Sequence, residues 1–244
     1  MRLYRNVKLL ALLALMMSFM IFILLFDKGS NDGISGNVVY THAEILPVQF
    51  SNCSFTLYPG WNMVSFYCLG LYNQRHTALQ SIEGSYGAIF TYVANDWNDP
   101  WKSYNSSLPN WTVQQLNYIN RLSGYWIYMR NSSNFSYYGV YADSTIPLYE
   151  GWNLVGYPKT NPENITVAFD EISFTIAKNY RKILDNMSVY DNLTNTTYTF
   201  TYYTGSDEWL VHINGSPSNN LTRLETYKGY WLNVSGDQTW HISR

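Results

Sequence analysis

Two short strings of residues occur twice in this chain, in the same order. Gly60-Trp61-Asn62 returns 91 residues later as Gly151-Trp152-Asn153, and Gly124-Tyr125-Trp126 returns 105 residues later as Gly229-Tyr230-Trp231. A period near 100 residues is too long for a solenoid repeat. The duplication therefore predicts two related modules, either as tandem domains or as two halves of one pseudo-symmetric domain.

The segments around these strings are typical of short β-strands. Leu57 and Val64 flank a glycine-containing turn, as in a hairpin, and the aromatic or β-branched runs that follow favour strands: Ala88–Val93, Tyr125–Met129 and Phe135–Val140. Short helices are predicted at Thr77–Ile82, Thr166–Ile172 and Val113–Ile119. The expected fold class is mainly β, a β-rich α+β arrangement of two antiparallel modules with short helices.

An insertion is predicted in the second copy. Phe90-Thr91-Tyr92 matches Phe200-Thr201-Tyr202 at a spacing of 110 residues, larger than the spacing of either duplicated string. The extra residues include Tyr180–Tyr198, and Asn192–Asn195 is typical of a hairpin tip.

An apolar segment precedes the modules. Leu9–Phe26 contains one polar residue, Ser18, and follows a basic tail. As a helix, its 18 residues would be nearly as long as the bilayer core is thick. The basic tail predicts that the N-terminus lies in the cytoplasm. A cleaved signal peptide is the alternative, although its apolar core would be shorter.

The predicted organisation is therefore that of a single-pass protein with the bulk of its chain outside the cell, at the cell membrane. It comprises a cytoplasmic tail at residues 1–8, a transmembrane signal anchor at 9–26, a stalk with a short strand at 27–50, a first β module at 51–143, and a second β module with an inserted hairpin at 144–244.

Acceptor triplets for N-glycosylation support export. All twelve follow the apolar segment, where a glycosylation machinery could reach them: Asn52, Asn105, Asn110, Asn131, Asn134, Asn164, Asn186, Asn192, Asn195, Asn214, Asn220 and Asn233. The alternative is ordinary polar loop chemistry, because a chain rich in Asn, Ser and Thr produces such triplets by chance.

The two cysteines predict a disulfide. Cys53 and Cys68 are equally far from the centre of the proposed turn at Pro59–Asn62, as are Leu57 and Val64. Opposed residues of a hairpin lie within disulfide range, and an exported protein would be oxidised. Two free buried thiols are the alternative.

Several classes of function lack their signatures. A net charge of −2 without a basic stripe argues against a nucleic-acid partner. Hydrolase, phosphate-loop and dinucleotide motifs are absent, so no catalytic residue, cofactor or metal is assigned. Asp96 with Asp99, and Asp207 with Glu208, are interpreted as turn residues, with a weak calcium loop as the alternative.

Tryptophan supplies the best binding candidates. In Gly-Trp-Asn, glycine would allow a positive φ, tryptophan would fill a small core and asparagine would bond the turn backbone. The four tryptophans of the duplicated strings, Trp61, Trp126, Trp152 and Trp231, are therefore expected to have a structural role. Trp97, Trp101 and Trp111 remain as candidates for stacking on sugar rings or for protein contact, with edge packing as the alternative.

The pattern Leu-x-x-Gly-Trp-Asn-Leu/Met-Val followed by Gly-Tyr-Trp-Ile/Leu, from Ser51 onwards, resembles the repeated Gly-Trp-Asn modules of exported archaeal and bacterial surface proteins. The resemblance implies an accessory or surface domain without assigned chemistry. The expected function is that of a membrane-anchored extracellular glycoprotein, not an enzyme, with a structural, adhesive or partner-binding role towards an envelope protein or surface glycan. A carbohydrate-binding module is the alternative, and an unrecognised hydrolase is a third. The sequence does not predict an oligomeric state.

Overall fold

The structure, a computed structural model, describes residues 49–109 and 111–243, which we call the β domain. The predicted signal anchor, residues 27–48 of the predicted stalk with its short strand, and Asn110 lie outside the described residues. No helix of the β domain has the length and apolar character needed to cross a membrane.

The β domain consists of sixteen strands and very short helices, which confirms the mainly β fold. The strands of the first half are β1 (Gln49–Leu57), β2 (Gly60–Val64), β3 (Asn73–Gln74), β4 (Tyr86–Tyr92), β5 (Trp101–Asn105), β6 (Tyr118–Ile119), β7 (Tyr125–Met129) and β8 (Ser133–Tyr141). Those of the second half are β9 (Ser144–Leu148), β10 (Gly151–Gly156), β11 (Glu163–Asn164), β12 (Phe174–Asp191), β13 (Thr196–Ile213), β14 (Arg223–Leu224), β15 (Gly229–Val234) and β16 (Gln238–Ile242).

The helices are single turns. They are α1 (Arg75–Ala78), a 3-10 turn (Gln80–Ile82) and α2 (Ile165–Ala168). The helix predicted at Val113–Ile119 was wrong, because this segment forms an irregular loop and then β6, which pairs with β3.

The two halves have the same sheet plan. Each contains a four-stranded antiparallel sheet, in the order β2-β7-β4-β5 and β10-β15-β12-β13 respectively. Each also has a two-stranded outer sheet (β1-β8 and β16-β9) and a minimal pair (β3-β6 and β11-β14). One buried cluster runs from Cys53 to Phe135 and a second from Ile146 to Ile242.

The hairpin predicted around Gly60 was wrong. β1 pairs with β8 and β2 pairs with β7, so the chain changes sheet at the turn. The Cys53–Cys68 disulfide is nevertheless present, which confirms the predicted link. Both cysteines are fully buried, and the bond joins β1 to the loop that follows β2.

The alignment of Phe90-Thr91-Tyr92 with Phe200-Thr201-Tyr202 was also wrong. The strand equivalent to β4 is the start of β12, since Phe90 and Lys178 face Trp126 and Trp231 respectively. Thr91 Oγ1 donates to the Gly124 carbonyl at 2.8 Å, and Asn179 Nδ2 donates to the Gly229 carbonyl at 2.7 Å. The two side chains differ but have the same role.

The halves are joined by reciprocal main-chain bonds. Ser65 N–H donates to the Tyr227 carbonyl and Gly156 N–H donates to the Leu122 carbonyl, each at 2.8 Å. Equivalent residues thus exchange equivalent contacts, as across a twofold axis. The two backbones approach closely at the centre of this junction. If Gly229 carried a Cβ atom, that atom would lie 3.3 Å from the Cα of Gly124.

The Gly-Trp-Asn turns have the expected glycine and asparagine roles. Gly60 and Gly151 have φ of 83° and 90°. Asn62 Nδ2 donates to the Tyr58 carbonyl at 2.7 Å and to the Gly60 carbonyl at 3.0 Å, and its Oδ1 accepts from Tyr58 N–H. Asn153 makes the same three bonds in the second half.

Asn62→Ala and Asn153→Ala are each expected to destabilise the protein by about 2 kcal/mol, because truncation leaves backbone groups of a buried turn without partners. Chemical denaturation gives the change in free energy of unfolding. Asn161→Ala is the control, since this exposed asparagine offers only its main-chain carbonyl to Tyr157. If Asn62→Ala were as stable as the control, Asn62 would not stabilise the turn through these bonds.

The second half carries a long arm. Beyond Lys178, β12 pairs only with β13, and the hairpin tip lies between Asp191 and Thr196. At about 3.4 Å per residue, the part from Lys182 outwards extends roughly 30 Å. At its base, Lys182 Nζ binds Asp207 at 3.1 Å, and Arg181 pairs with Glu208.

Candidate functional site

The central strands β7 and β15 alternate between buried side chains and side chains on the opposite face. In β7, Tyr125, Ile127 and Met129 are buried, whereas Trp126 and Tyr128 point to the opposite face. Adjacent residues of a strand point to opposite sides, so Gly-Tyr-Trp sends its tyrosine inwards and its tryptophan outwards. Trp61 and Trp152 are also on this outer face, 39% and 37% exposed. The expectation that the signature tryptophans fill the core was therefore wrong.

The outer faces form two equivalent recesses. The first recess has a volume of about 510 Å³ and is lined by Trp61, Phe90, Trp101 and Trp126. The second recess has a volume of about 490 Å³ and is lined by Tyr92, Trp152, Lys178, Trp209, Val211 and Trp231. The ladder registers make the four residues of the first equivalent to Trp152, Lys178, Trp209 and Trp231 of the second.

Rings of the two halves meet between the recesses, and Tyr92 of the first half lines the second recess. Trp231 lies 5.2 Å from Tyr92 and 5.7 Å from Trp101, measured between ring centroids. Trp126 lies 5.1 Å from Tyr180 and 5.8 Å from Trp209. The two recesses therefore adjoin in one continuous surface, which we call the aromatic face.

Hydrogen-bond donors remain open on the aromatic face. Trp240, in the second core, donates its indole N–H to the Ala168 carbonyl at 2.8 Å. Within the β domain, by contrast, none of the indole N–H groups of the six recess tryptophans donates to another residue. The aromatic face therefore offers flat π surfaces together with unpaired donors.

The recesses differ in two side chains around the Gly-Trp-Asn tryptophan. Trp61 packs against Phe90 at 5.7 Å and Tyr128 at 5.2 Å. In the second recess, Lys178 replaces Phe90, and its Nζ lies 5.1 Å from the centroid of the Trp152 ring. Asn233 replaces Tyr128 as the cross-strand partner of Trp152.

The structure separates the three predicted ligand-binding tryptophans. Trp101 lies in the first recess, 43% exposed. Trp97 and Trp111 are 86% and 84% exposed and line neither recess. The remaining recess residues were missed, although alternation alone shows that Tyr125 and Trp126 cannot both enter one core.

The carboxylates singled out in the sequence are engaged by cations. Asp96 and Asp99 both bind Lys102 Nζ, at 2.7 and 3.2 Å. The interpretation of Asp207 and Glu208 as turn residues was wrong, since both lie within β13. Asp207 binds Lys182 and accepts from Tyr180 at 2.6 Å. Burial raises the pKa of Tyr180 to about 12, and the bond to Asp207 adds to this rise. No group of three metal-binding side chains occurs in the β domain.

The described sequon asparagines are mostly exposed. Asn105 and Asn233 are half-buried and lie in strands β5 and β15. Asn233 is the one that stands directly opposite a recess tryptophan, Trp152.

Comparison of the chain with protein-family models, with curated proteins and with solved structures gives no match.

Proposed function

We propose that this protein is a membrane-anchored surface glycoprotein that binds carbohydrate through the aromatic face. The observation that carries the proposal is the pair of equivalent recesses, each walled by three tryptophans. Aromatic rings stack on the apolar faces of sugar rings, and open indole N–H groups suit hydroxyl acceptors. The likeness to Gly-Trp-Asn surface modules and the predicted signal anchor are parts of this proposal.

The composition of the recesses favours binding over catalysis. Glycoside hydrolysis needs two carboxyl groups facing each other across a cleft, and the residues that line the two recesses include no Asp or Glu. The first recess has no charged side chain among its lining residues and suits a neutral sugar.

Trp101→Ala is expected to lower the affinity for a glycan at least tenfold, because loss of a buried tryptophan contact costs about 2 kcal/mol. The full chain in detergent is first screened on a glycan array, and the Kd of the best ligand is then measured by calorimetry. Trp97→Ala and Trp111→Ala are matched controls outside the recesses and should leave the Kd unchanged. No saturable binding to any glycan, or equal losses in the controls, would refute the proposal.

A protein partner at the arm is a second candidate function. Its specific support is the set of exposed apolar side chains on the part of the arm that pairs with no further strand, including Met187, Val189, Tyr190, Leu193 and Phe200. Unpaired edges and apolar faces of this kind favour contact with another chain. Crosslinking in intact cells from a photoreactive residue at position 193 would give a protein adduct, and the same residue at position 97 would not.

A further inference from the structure

The two recesses provide an internal comparison at one position. In the first half, Tyr128 stands opposite Trp61 on the neighbouring strand, and their rings are 5.2 Å apart. In the second half, Asn233 stands opposite Trp152. Opposed side chains of an antiparallel pair lie on the same face, with Cβ atoms about 4.5–5.5 Å apart. Asparagine has no ring to place against the indole.

Asn233 begins the sequon Asn233-Val234-Ser235. Its Oδ1 accepts from Thr175 Oγ1 at 2.7 Å, which orients the amide. Its Nδ2, the atom that would carry a sugar, donates to no other residue of the β domain. The side chain is half-buried at the edge of the aromatic face, so a group attached to it would begin beside Trp152.

We propose that Asn233 carries an N-linked glycan whose first sugar stacks on Trp152, in the place that the Tyr128 ring takes beside Trp61. The inference rests on the export that is part of the proposed function. In the attachment step, Nδ2 attacks the anomeric carbon of a polyprenyl-diphosphate-linked oligosaccharide. A C–N bond forms, the C–O bond to the diphosphate breaks, the amide loses one proton, and polyprenyl diphosphate leaves.

The neighbouring lysine fits this occupant. The Lys178 ammonium, 5.1 Å from the Trp152 ring centroid, makes no salt bridge within the β domain. It can donate to sugar hydroxyls or pair with an acidic sugar. Phe90, at the equivalent place in the first recess, cannot. The glycan at Asn233 thus covers the second recess and leaves the first for an external ligand.

The first measurement is site occupancy by mass spectrometry of peptides from the full chain, purified from its native host. We expect a glycan on Asn233. An unmodified Asn233 alongside modified sequons elsewhere would overturn this inference and leave the glycoprotein proposal standing. Unmodified asparagine at every sequon would remove both.

The second measurement is the melting temperature of variants made in the same host. Ser235→Ala keeps Asn233 but removes the sequon, and is expected to lower Tm by about 2 to 4 °C. Asn131→Gln removes an exposed sequon in a turn and is the control. In a Trp152→Ala background, or in Trp152→Phe if the alanine variant does not fold, the effect of Ser235→Ala should shrink or vanish.

Asn233→Tyr is the sharpest variant. It recreates the ring of Tyr128 without a glycan and is expected to be at least as stable as the glycosylated protein. Proton NMR of the glycosylated protein should show upfield ring-current shifts for the sugar at Asn233. An undiminished effect of Ser235→Ala in the Trp152 variants, or a sugar without such shifts, would overturn the stacking.

Discussion

Replacing Gly124 by alanine is expected to destabilise the β domain by on the order of 3 kcal/mol, because the new methyl group meets main-chain atoms that cannot move aside. Its Cβ would lie 2.7 Å from the carbonyl oxygen of Val155 and 2.9 Å from the Leu154 side chain. Gly229→Ala should have a similar cost, since its Cβ would lie 2.8 Å from the Val64 carbonyl. Each clash lies at the junction between the halves.

Backbone strain does not explain this requirement for glycine. Neither Gly124 nor Gly229 is among the residues with positive φ, so only the close approach of the two halves excludes a side chain. Gly236→Ala is the matched control, because a Cβ there would meet nothing within 4 Å. Denaturant titration gives the free energies of unfolding of the Gly124→Ala, Gly229→Ala and Gly236→Ala variants. A Gly124→Ala variant as stable as Gly236→Ala would contradict the close contact at the junction.

Removing the disulfide with Cys53→Ala and Cys68→Ala is expected to cost about 3 kcal/mol, because the bond closes a loop between residues 15 positions apart. This corresponds to a fall in Tm of roughly 6 to 12 °C. Both sulfurs are buried in the first core, so reduction would also loosen the packing around Phe66 and Phe135. Calorimetry of the wild type and the double variant measures the loss.

A reductant provides the control for this prediction. It should lower the Tm of the wild type towards that of the double variant and leave the variant unchanged. The second half has Ser144 and Lys159 where the first has cysteines, and Lys159 pairs with Glu163 at 3.0 Å. Wild type and variant with the same Tm would show that the first half is equally independent of its crosslink.

The sequence predicted the parts of the fold that depend on local chemistry. Alternation and β-branched or aromatic runs gave strands, and the turn roles of Gly60 and Asn62 followed from their side chains. It predicted the disulfide through a wrong hairpin. The predicted disulfide is nevertheless present, because the loop after β2, which contains Cys68, returns to β1, the strand that precedes the turn.

Long-range pairing was not predictable from similarity alone. In a chain with 23 tyrosines, the string Phe-Thr-Tyr recurs by chance, whereas the true counterparts Thr91 and Asn179 share only the ability to donate to a glycine carbonyl. Their equivalence became visible through the ladder registers.

The candidate site was missed for a different reason. The repetition predicts that Trp61, Trp126, Trp152 and Trp231 are core residues, yet both copies place them on the open face. Trp101, one of the three predicted ligand-binding tryptophans, lies in the first recess, and its counterpart in the second half is Trp209.

The reciprocal junction gives the chain its own substitution record. Two stretches of one polypeptide adopt the same sheet plan, so each pair of equivalent positions compares two sequences within one molecule. Positions that stay identical, such as Gly124 and Gly229, show what the architecture demands. Positions that diverge, such as Phe90 with Lys178 and Tyr128 with Asn233, show where the shared fold tolerates different side chains, so that the two copies can differ in function.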